Sequence, residues 1–459
     1  MTDVMILAAG LGTRMKSSRA KVLHQLGGRP LISYPVRTAL ALRPRHLIVV
    51  VGYQAEEVEQ AVAGEFDMFG DKSETKLIFV RQTEQRGTGH AVIASKNALA
   101  ETAGPLALIA GDGPMLKSTT LEHMVATHVR DGNAATFLTA VLDAPTGYGR
   151  IARDSNGRFL RTIEEKDATE EERRAREVNV SVYCFDTHAL LGAIDLLKAD
   201  NAQGEYYITD VPRILVEAGK RVEALTHPDA EEVMGINSRV DLAGLERKLR
   251  ERKLTELMLS GVTIIDPATA YIDQDAVIGP DTVINPQVII EGKSRIGTRC
   301  TVQSWVRLKD VHIGNDVIIK NCSVIEDSRV DDGASVGPFG RIRMHAEIGD
   351  SVVIGNFVEV KKSKIGRRTK AQHLAYLGDA TLGENVNIGA GTITCNFDGE
   401  RKHETIVDDD VKIGSDTMLV APVRVGKGSK TGAGSVIIKD IPPDSLAVGV
   451  PAVVKKKLR

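Results

Sequence analysis

The sequence predicts two domains of different kinds: an α/β domain with a mixed sheet and, after a helical connector, a parallel β-helix. Up to about residue 237, short apolar segments alternate with helix-like stretches, and from residue 272 aliphatic residues recur at every sixth position. The chain of 459 residues is also longer than one hydrophobic core usually organises. We therefore expect an α/β domain at 1–237, a helical linker at 238–260 and a β-helix at 261–459.

Short apolar segments in the first domain predict buried strands, and the helices predicted between them are expected to cover both faces of a parallel sheet. Later strands lie closer together in the sequence, which predicts a mixed extension of that sheet. Residues 238–260 repeat leucine among charged residues, so they predict an amphipathic helix. The predicted strands are 4–8, 47–51, 76–80, 106–110, 134–141, 158–163 and 178–185, and the predicted helices are 31–42, 55–63 and 88–100.

The six-residue period of the second half is incompatible with an α-helix and indicates a parallel β-helix. One aliphatic side chain from each flat face is expected to stack on the next coil at about 4.8 Å. Cys300 falls at a small inward position, so we interpret it as core filler. The period runs through Ile272, Ile278, Ile284, Ile290, Ile296, Val302 and Leu308, resumes at Ile313 and at Val330, slips at Ile365 and Leu382, and returns after an insertion at Ile413.

The composition excludes several classes of function. The 59 Lys and Arg against 61 Asp and Glu give a net charge of −2, which argues against a general nucleic-acid binder. No stretch approaches the roughly 18 apolar residues of a membrane span, and no signal segment is recognisable, so we expect a cytoplasmic protein without a membrane partner. Four cysteines without CxxC spacing predict neither a zinc site nor a disulfide framework. The basic residues at 455–459 are expected to form a frayed terminus.

A glycine-rich loop at 7–15, with the sequence LAAGLGTRM, follows the first predicted strand, and Lys21 lies shortly after it. Such a loop can present backbone N–H groups to phosphate oxygens, although by itself it is equally compatible with a tight turn. It is neither a Walker loop nor a dinucleotide fingerprint, because Met15 stands where the third glycine would be. The cations of Arg14 and Lys21 favour binding of a polyphosphate.

This loop resembles the signature loop of sugar-phosphate nucleotidyltransferases, except that Ala20 replaces the proline usual before the lysine. Further motifs of that family follow in the same order, at 82, 87–91, 110–112, 146–150, 164–166, 179 and 235–237. The resemblance implies a Rossmann-like domain in which Asp112 and Asn237 hold one Mg²⁺ ion, a hard cation that prefers oxygen ligands. Considered separately, Asp112 is compatible with a helix N-cap and Asn237 with a turn residue. The remaining residues implied to bind UTP or the sugar nucleotide are Leu7, Ala8, Ala9, Gly10, Arg14, Lys21, Gln82, Gly87, Thr88, Ala110, Gly111, Gly149, Glu164 and Asn179.

In the β-helix, His373 lies beside a predicted corner, and we expect Arg343, Lys361, Tyr376 and Asn387 to recur at whole-coil separations and converge on one groove. A histidine is more often structural than catalytic, and His373 is also compatible with a residue that caps a corner. Hexapeptide β-helices are typical of acyltransferases, however, in which a histidine takes the proton of an attacking amine or hydroxyl.

Over nearly its whole length the chain resembles the bacterial enzymes that acetylate glucosamine 1-phosphate and then transfer a uridylyl group to the product. The resemblance implies that the β-helix is left-handed and that the protein is a homotrimer. It also implies that the product is a precursor of peptidoglycan and lipopolysaccharide. It makes His373 the general base, with Arg343 and Lys361 on the sugar phosphate and Tyr376 and Asn387 orienting the amino sugar. It also implies that acetyl-coenzyme A binds between neighbouring subunits at Ala390, Asn396, Phe397, Ser415 and Ala433.

Two departures from this family concern the coenzyme. Phe397 replaces a tyrosine, which removes a hydroxyl but keeps an apolar wall. The segment at 448–451 lacks the arginine that the family often places against the coenzyme phosphates, and Lys439 or the lysines at 455–457 are candidates to replace it.

Two other interpretations remain open. The first is a monofunctional sugar-1-phosphate nucleotidyltransferase whose β-helix serves assembly or regulation, which predicts a shorter β-helix without His373, Tyr376 and Asn387. The second is a non-catalytic subunit, which predicts loss of the charged residues around the glycine loop. Both sets of residues are present in this sequence.

Overall fold

The computed structural model describes residues 2–102 and 104–457. It divides into two compact units, and the boundary between them lies between Leu245 and Glu246. Within the described ranges, no helix has both the length and the apolar character needed to cross a membrane.

The first unit is built on a mixed sheet. Its strands are β1 Asp3–Ala8, β2 Gln25–Leu26, β3 Arg29–Pro30, β4 His46–Val51, β5 Lys76–Arg81, β6 Pro105–Ala110, β7 Ala135–Val141, β8 Arg150–Arg153, β9 Phe159–Ile163, β10 Glu177–Asp186 and β11 Val222–Thr226. The strand order in the sheet is β11-β7-β10-β6-β1-β4-β5. Strands β1, β4, β5 and β6 are parallel, β10 is antiparallel to β6 and β7, and β8 and β9 form a hairpin beside β10.

Helices cover both faces of this sheet, as the sequence predicts. Alternate residues of β1 point into different cores: Val4 and Ile6 belong to one buried cluster and Met5 to the other. The helices are α1 Ser33–Ala41, α2 Ala55–Phe69, α3 Thr88–Ala94, α4 Lys96–Ala100, α5 Ser118–Asp131, α6 Thr187–Ile194, α7 Val211–Glu217, α8 Ala230–Val233 and α9 Arg239–Leu259.

Two predicted helices differ from the observed ones. The helix predicted at 55–63 continues through Gly64 to Phe69, because Phe66 is buried in the core. The helix predicted at 88–100 is divided at Ser95, whose hydroxyl donates to the Ala91 carbonyl at 2.9 Å. A serine that bonds backward in this way weakens the helical backbone.

Helix α9 confirms the predicted helical connector. Leu249, Leu254 and Leu257 are buried, whereas Val240 and Leu259 are exposed. The predicted domain limits of 237/238 and 260/261 remain predictions.

The second unit is a left-handed parallel β-helix in which three sheets stack coil upon coil. Most strands of one sheet pair at a spacing of 17 or 18 residues, as in Thr301–Ile318 and Val283–Thr301, and the spacing is 25 residues across the insertion, as in Asn387–Lys412. The aliphatic residues of the six-residue period form one continuous buried core, which confirms the predicted packing, and Cys300 is 1% exposed within it.

The first sheet contains Thr263–Ile264, Val283–Ile284, Thr301–Val302, Ile318–Ile319, Ser335–Val336, Val353–Asn356, Lys370–His373, Asn387–Ile388, Lys412–Ile413, Lys430–Thr431, Ser445–Gly449 and Ala452–Lys457. The second contains Tyr271–Ile272, Ile289–Glu291, Arg307–Lys309, Val324–Glu326, Arg341–Arg343, Glu359–Lys361, Tyr376–Gly378, Ile393–Cys395, Met418–Val420 and Val436–Ile437. The third contains Val277–Ile278, Arg295–Ile296, His312–Ile313, Arg329–Val330, Glu347–Ile348, Lys364–Ile365, Ala380–Leu382, Thr405–Val407 and Val423–Val425.

The basic terminus differs from the prediction of a frayed end. Lys455–Lys457 belong to the last strand, which pairs antiparallel with Ser445–Gly449. Leu458 and Arg459 lie outside the described residues.

Candidate active sites

A cleft of about 520 Å³ opens at the carboxyl ends of the parallel strands of the first unit. The glycine-rich loop after β1 forms one wall of it. Gly12 has a φ of 62°, and a Cβ at this position would lie 2.6 Å from the Lys21 Cβ. The loop therefore requires glycine here so that Lys21 can approach.

All the predicted residues of the first unit line this cleft except Gly111. The Gly111 N–H donates to the Leu7 carbonyl at 2.9 Å, so the Gly111 backbone continues the pairing of β6 with β1, and Gly111 does not line the cleft. The residues that line it are Leu7, Ala8, Ala9, Gly10, Arg14, Lys21, Gln82, Gly87, Thr88, Ala110, Asp112, Gly149, Glu164, Asn179 and Asn237.

The departure at Ala20 has a structural explanation. The Ala20 N–H donates to Gln54 Oε1 at 2.6 Å, a bond that proline cannot form. Ala20 therefore attaches the start of the Lys21 turn to the segment before α2. Lys21 itself forms a salt bridge with the Asp112 carboxylate.

Asp112 and Asn237 come together at one end of the cleft. The Ile236 N–H donates to the Asp112 carbonyl at 3.0 Å, and a Cβ on Gly235 would lie 3.0 Å from Asp112 Oδ1. The segment that carries Asn237 therefore passes beside the Asp112 carboxylate. One carboxylate and one amide oxygen, with phosphate oxygens completing the shell, fit the coordination that Mg²⁺ prefers.

Tyr148 links this end of the cleft to the neighbouring loop. Its hydroxyl donates to the Gly235 carbonyl at 3.3 Å and accepts from Asn237 Nδ2 at 3.4 Å. Burial, together with the charges of Asp112 and Asp241, raises the pKa of Tyr148 to about 12, so the phenol stays protonated. Because the amide nitrogen of Asn237 is engaged by Tyr148, its amide oxygen is available for a cation.

Glu164 and Asn179 face the cleft from the antiparallel part of the sheet. Burial raises the pKa of Glu164, whose carboxylate accepts a hydrogen bond from the Thr209 hydroxyl at 2.8 Å. Asn179 lies at a β-bulge in β10, where Ser181 has a φ of 58°. The bulge re-aims the strand, and the Asn179 N–H donates to the Gly149 carbonyl at 2.9 Å.

Gln82 and the turn before α3 form another part of the cleft wall. Gln82 Nε2 donates to the Gly87 carbonyl at 3.1 Å, and the Thr88 hydroxyl oxygen accepts from the Ile208 N–H at 3.1 Å. Four residues that the sequence did not predict also line the cleft: Gln85, Ser181, Glu205 and Thr209. No motif marks these four residues, and the Thr209 hydroxyl donates to Glu164 within the cleft.

The predicted acetyltransferase residues lie on two adjoining sheets of the β-helix. Arg343 and Lys361 are neighbours in the second sheet and pair directly in register. Lys361 is buried and lies 3.7 Å from Asp379, while the Arg343 guanidinium donates to Glu359 at 2.7 Å. The two cations therefore lie one coil apart and each has a carboxylate partner.

Tyr376 and Asn387 do not share the column of Arg343 and Lys361, so the expectation of whole-coil separations is wrong for them. Tyr376 pairs with Glu359, and Asn387 pairs with Lys370 in the first sheet. The Tyr376 ring nevertheless lies over Gly378, the residue in register with Lys361, because a Cβ on Gly378 would clash with the Tyr376 ring and hydroxyl.

His373 ends a strand of the first sheet and pairs with Asn356. It is exposed, and within the described part of the chain its imidazole makes no hydrogen bond, so no bond supports the interpretation of His373 as a corner cap. The next residue, Leu374, has a φ of 46° at the corner that leads to Tyr376. His373 and Tyr376 thus lie on either side of one corner.

Three charged residues near these candidates had no signal in the sequence: Glu359, Asp379 and Lys402. Asp379 accepts from Asn396 Nδ2 at 2.6 Å. A hydrogen-bonding contact and like charge from Lys361 lower the pKa of Lys402. Lys402 comes from the insertion at 396–404, so only the folded insertion brings it to Lys361.

The candidate acetyl-coenzyme A residues Ala390, Ser415 and Ala433 occupy the same corner on successive coils. The Asp416 N–H donates to the Ala390 carbonyl at 2.6 Å, and the Gly434 N–H donates to the Ser415 carbonyl at 2.8 Å. Asn396 and Phe397 begin the insertion, and Phe397 is 60% exposed. All five residues therefore lie at corners or in loops of the β-helix.

The fold and the cleft define a nucleotidyltransferase domain joined to a hexapeptide-repeat β-helix. The family model described as "Nucleotidyl transferase" matches residues 3–234. The chain is 44% identical over 448 residues to "Bifunctional protein GlmU" of Trichlorobacter lovleyi, covering 98% of this chain and 95% of the relative. The proteins of the same name from Geotalea uraniireducens and Carboxydothermus hydrogenoformans are 46% and 45% identical, each over 97% of this chain and over 95% and 96% of the relative.

The chain belongs to the family of bifunctional GlmU proteins. It is a bifunctional enzyme that carries a nucleotidyltransferase domain.

Proposed function

We propose that this chain catalyses two consecutive steps toward UDP-N-acetylglucosamine. The β-helix acetylates glucosamine 1-phosphate with acetyl-coenzyme A, and the first unit transfers the uridylyl group of UTP to N-acetylglucosamine 1-phosphate with release of pyrophosphate. The observation that carries this proposal is the presence of two separate sets of reactive side chains. Lys21, Asp112 and Asn237 lie in the cleft. His373 and the Arg343–Lys361 pair lie on adjoining sheets of the β-helix.

In the acetyl transfer, His373 acts as the general base. Glucosamine 1-phosphate carries an ammonium group, which has no lone pair until it loses a proton. His373 takes that proton, the amine attacks the thioester carbonyl, and the C–S bond breaks to release coenzyme A, whose sulfur is then protonated. The free, exposed imidazole of His373 and the cations of Arg343 and Lys361 support these roles.

In the uridylyl transfer, the sugar phosphate attacks the α-phosphorus of UTP, and the bond to pyrophosphate breaks. Arg14 and Lys21 neutralise charge on the leaving pyrophosphate. Asp112 and Asn237 would hold Mg²⁺, which supplies further positive charge to the phosphates when bound. Glu164, Asn179 and Gly149 hold the amino sugar, and Gln82 and Thr88 contact the uracil side.

We further propose a homotrimer. Four of the five candidate coenzyme residues are exposed or half-buried at corners and in the insertion of one β-helix, which supports a site completed by a neighbouring copy; the fifth, Asn396, is buried. Light scattering should give a trimer mass, and a monomer with full acetyltransferase activity would contradict this arrangement. We place the enzyme in the cytoplasm, where UTP and acetyl-coenzyme A are supplied.

The proposed function is tested with the purified full-length protein and both pairs of substrates. We expect thiol release from acetyl-coenzyme A with glucosamine 1-phosphate, and pyrophosphate release from UTP with N-acetylglucosamine 1-phosphate. Addition of EDTA should stop pyrophosphate release, and excess Mg²⁺ should restore it. Pyrophosphate release without thiol release would favour a monofunctional nucleotidyltransferase, and neither product would favour a non-catalytic subunit.

A further inference from the structure

A column of lysines runs along the outer face of the first sheet. Lys370 pairs with Asn387, Asn387 with Lys412, and Lys412 with Lys430. The column continues through Leu446 to Lys456 in the last strand. The four lysines are exposed, and each pairing step moves one strand along the sheet, or about 4.8 Å. We call Lys370, Lys412, Lys430 and Lys456 the lysine column.

The charge of the lysine column has no carboxylate partner in the part of the chain that the structure describes. Within the described residues, none of the four lysines forms an ion pair. The corresponding column of the third sheet is different: Glu347 lies between Arg329 and Lys364 in register and accepts an ion pair from Lys364 at 3.0 Å. Like charges on adjacent strands oppose sheet pairing, so the direct pair of Lys412 and Lys430 costs stability without an anion.

The lysine column lies on the coils that carry the candidate coenzyme residues. Ala390 follows Asn387 by three residues, and Ser415 follows Lys412 by the same interval. Ala433 likewise follows Lys430 by three residues. His373 lies at the end of the strand that begins with Lys370. From the coil of His373 to that of Lys430 there are three pairing steps, about 14 Å along the β-helix.

We propose that Lys412 and Lys430 bind the phosphate groups of acetyl-coenzyme A, with Lys456 extending the same basic surface. The nucleotide end of the coenzyme carries a diphosphate and a 3′-phosphate, and a pair of ammonium groups one strand apart matches such clustered charge. The coenzyme then lies along the β-helix axis, with its thioester at the coil of His373 and its phosphates at the coils of Lys412 and Lys430. These lysines supply the cation that the segment at 448–451 lacks. The inference rests on the proposed acetyltransferase activity.

The test compares the double variant Lys412→Gln/Lys430→Gln with the matched control Arg329→Gln/Lys364→Gln, which removes the same charge from the third sheet. We expect the KM for acetyl-coenzyme A to rise about 10-fold or more in the first variant, because two charge-assisted contacts are lost. The kcat and the KM for glucosamine 1-phosphate should stay within about twofold of the wild-type values. The control should retain the wild-type KM for acetyl-coenzyme A.

Two further measurements identify the phosphates as the contacted groups. With S-acetylpantetheine, which lacks the nucleotide, the double variant and the wild type should have equal kcat/KM. The KM of the wild type for acetyl-coenzyme A should rise with salt concentration more steeply than that of the double variant.

An unchanged KM in the double variant would overturn the inference, as would an equal rise in the control or a defect that persists with S-acetylpantetheine. Failure of the proposed function is distinguishable from these results, because the wild-type protein would then release no coenzyme A with glucosamine 1-phosphate.

Discussion

The two units arrange their candidate residues in opposite ways. In the first unit, loops from many parts of the chain surround one cleft, so that a single chain supplies nearly every predicted contact. In the β-helix, the candidate side chains lie along the strands of flat sheets, and strand pairing determines which of them are neighbours. Open α/β sheets concentrate function at the carboxyl ends of their strands, whereas a β-helix distributes it along an axis. Substitutions that separate the two activities test this contrast most directly.

The largest effect is expected for Asp112→Ala. The substitution removes the carboxylate beside Asn237, so pyrophosphate release should fall below detection while acetyl transfer keeps its wild-type rate. Both activities are measured on the same preparation. Asp195→Ala is the matched control, because Asp195 is exposed and pairs with Lys96 outside the cleft residues. Pyrophosphate release by the Asp112 variant at the wild-type rate would refute the metal assignment.

His373→Ala is the converse experiment on the β-helix. Loss of the general base should reduce acetyl transfer about 10²- to 10⁴-fold and leave uridylyl transfer unchanged. His312→Ala, which removes another exposed histidine of the β-helix, should have no effect. A correctly folded His373 variant that retains most of its acetyltransferase rate would exclude His373 from the mechanism.

The two units also differ in how much of each the sequence could predict. The six-residue period specifies which residue of each coil points inward, and those residues form the buried core. In the α/β unit the first strands were predicted to within one or two residues. Helices α5 to α8 and strands β2, β3, β8 and β11 were not predicted, because local pattern is a weak guide to elements that depend on tertiary packing.

The candidate sites were also predicted only in part from the sequence. The motifs predicted most of the residues that line the cleft. They did not predict Thr209, which belongs to no motif and donates a hydrogen bond to Glu164. On the β-helix, the sequence interval alone predicted whole-coil separations, whereas the strand register pairs Tyr376 with Glu359 and Asn387 with Lys370. The lysine column was hidden for the same reason, since its members are separated by unequal intervals that only the strand register brings together.

A smaller effect is expected for Tyr148→Phe, which removes the hydroxyl that holds Asn237 Nδ2 but keeps the ring. Partners that orient a metal ligand contribute about 10-fold to metal affinity, so we expect Mn²⁺ binding to weaken by about that factor. Calorimetric titration with Mn²⁺ in the presence of UTP measures this directly. Tyr34→Phe is the control, because it removes a hydroxyl that donates to the Leu26 carbonyl at 2.6 Å in the same unit. Equal Mn²⁺ affinity of the two variants would assign Tyr148 a purely structural role.

The smallest effect is expected for Glu164→Gln. This substitution tests whether the negative charge of the buried Glu164 carboxylate destabilises the folded protein. Burial is the main cause that raises the pKa of Glu164, and the negative charges of Asp167, Asp210 and Glu205 add to it. A carboxyl group with a raised folded-state pKa stabilises the fold fully below its unfolded-state pKa, and this contribution is lost as the pH rises through the folded-state value.

Glutamine keeps the shape and can still accept from the Thr209 hydroxyl, but it carries no charge. The melting temperature of the unliganded Glu164→Gln variant should therefore exceed that of the wild type by about 2 °C at neutral pH. The difference should shrink as the pH falls toward about 4, where the wild-type carboxyl is protonated as well. The KM for N-acetylglucosamine 1-phosphate should rise, because the sugar loses its charged acceptor. Glu170→Gln removes an exposed carboxylate and should change neither quantity. A variant that melts below the wild type at neutral pH would show that the Glu164 charge is compensated in the folded state.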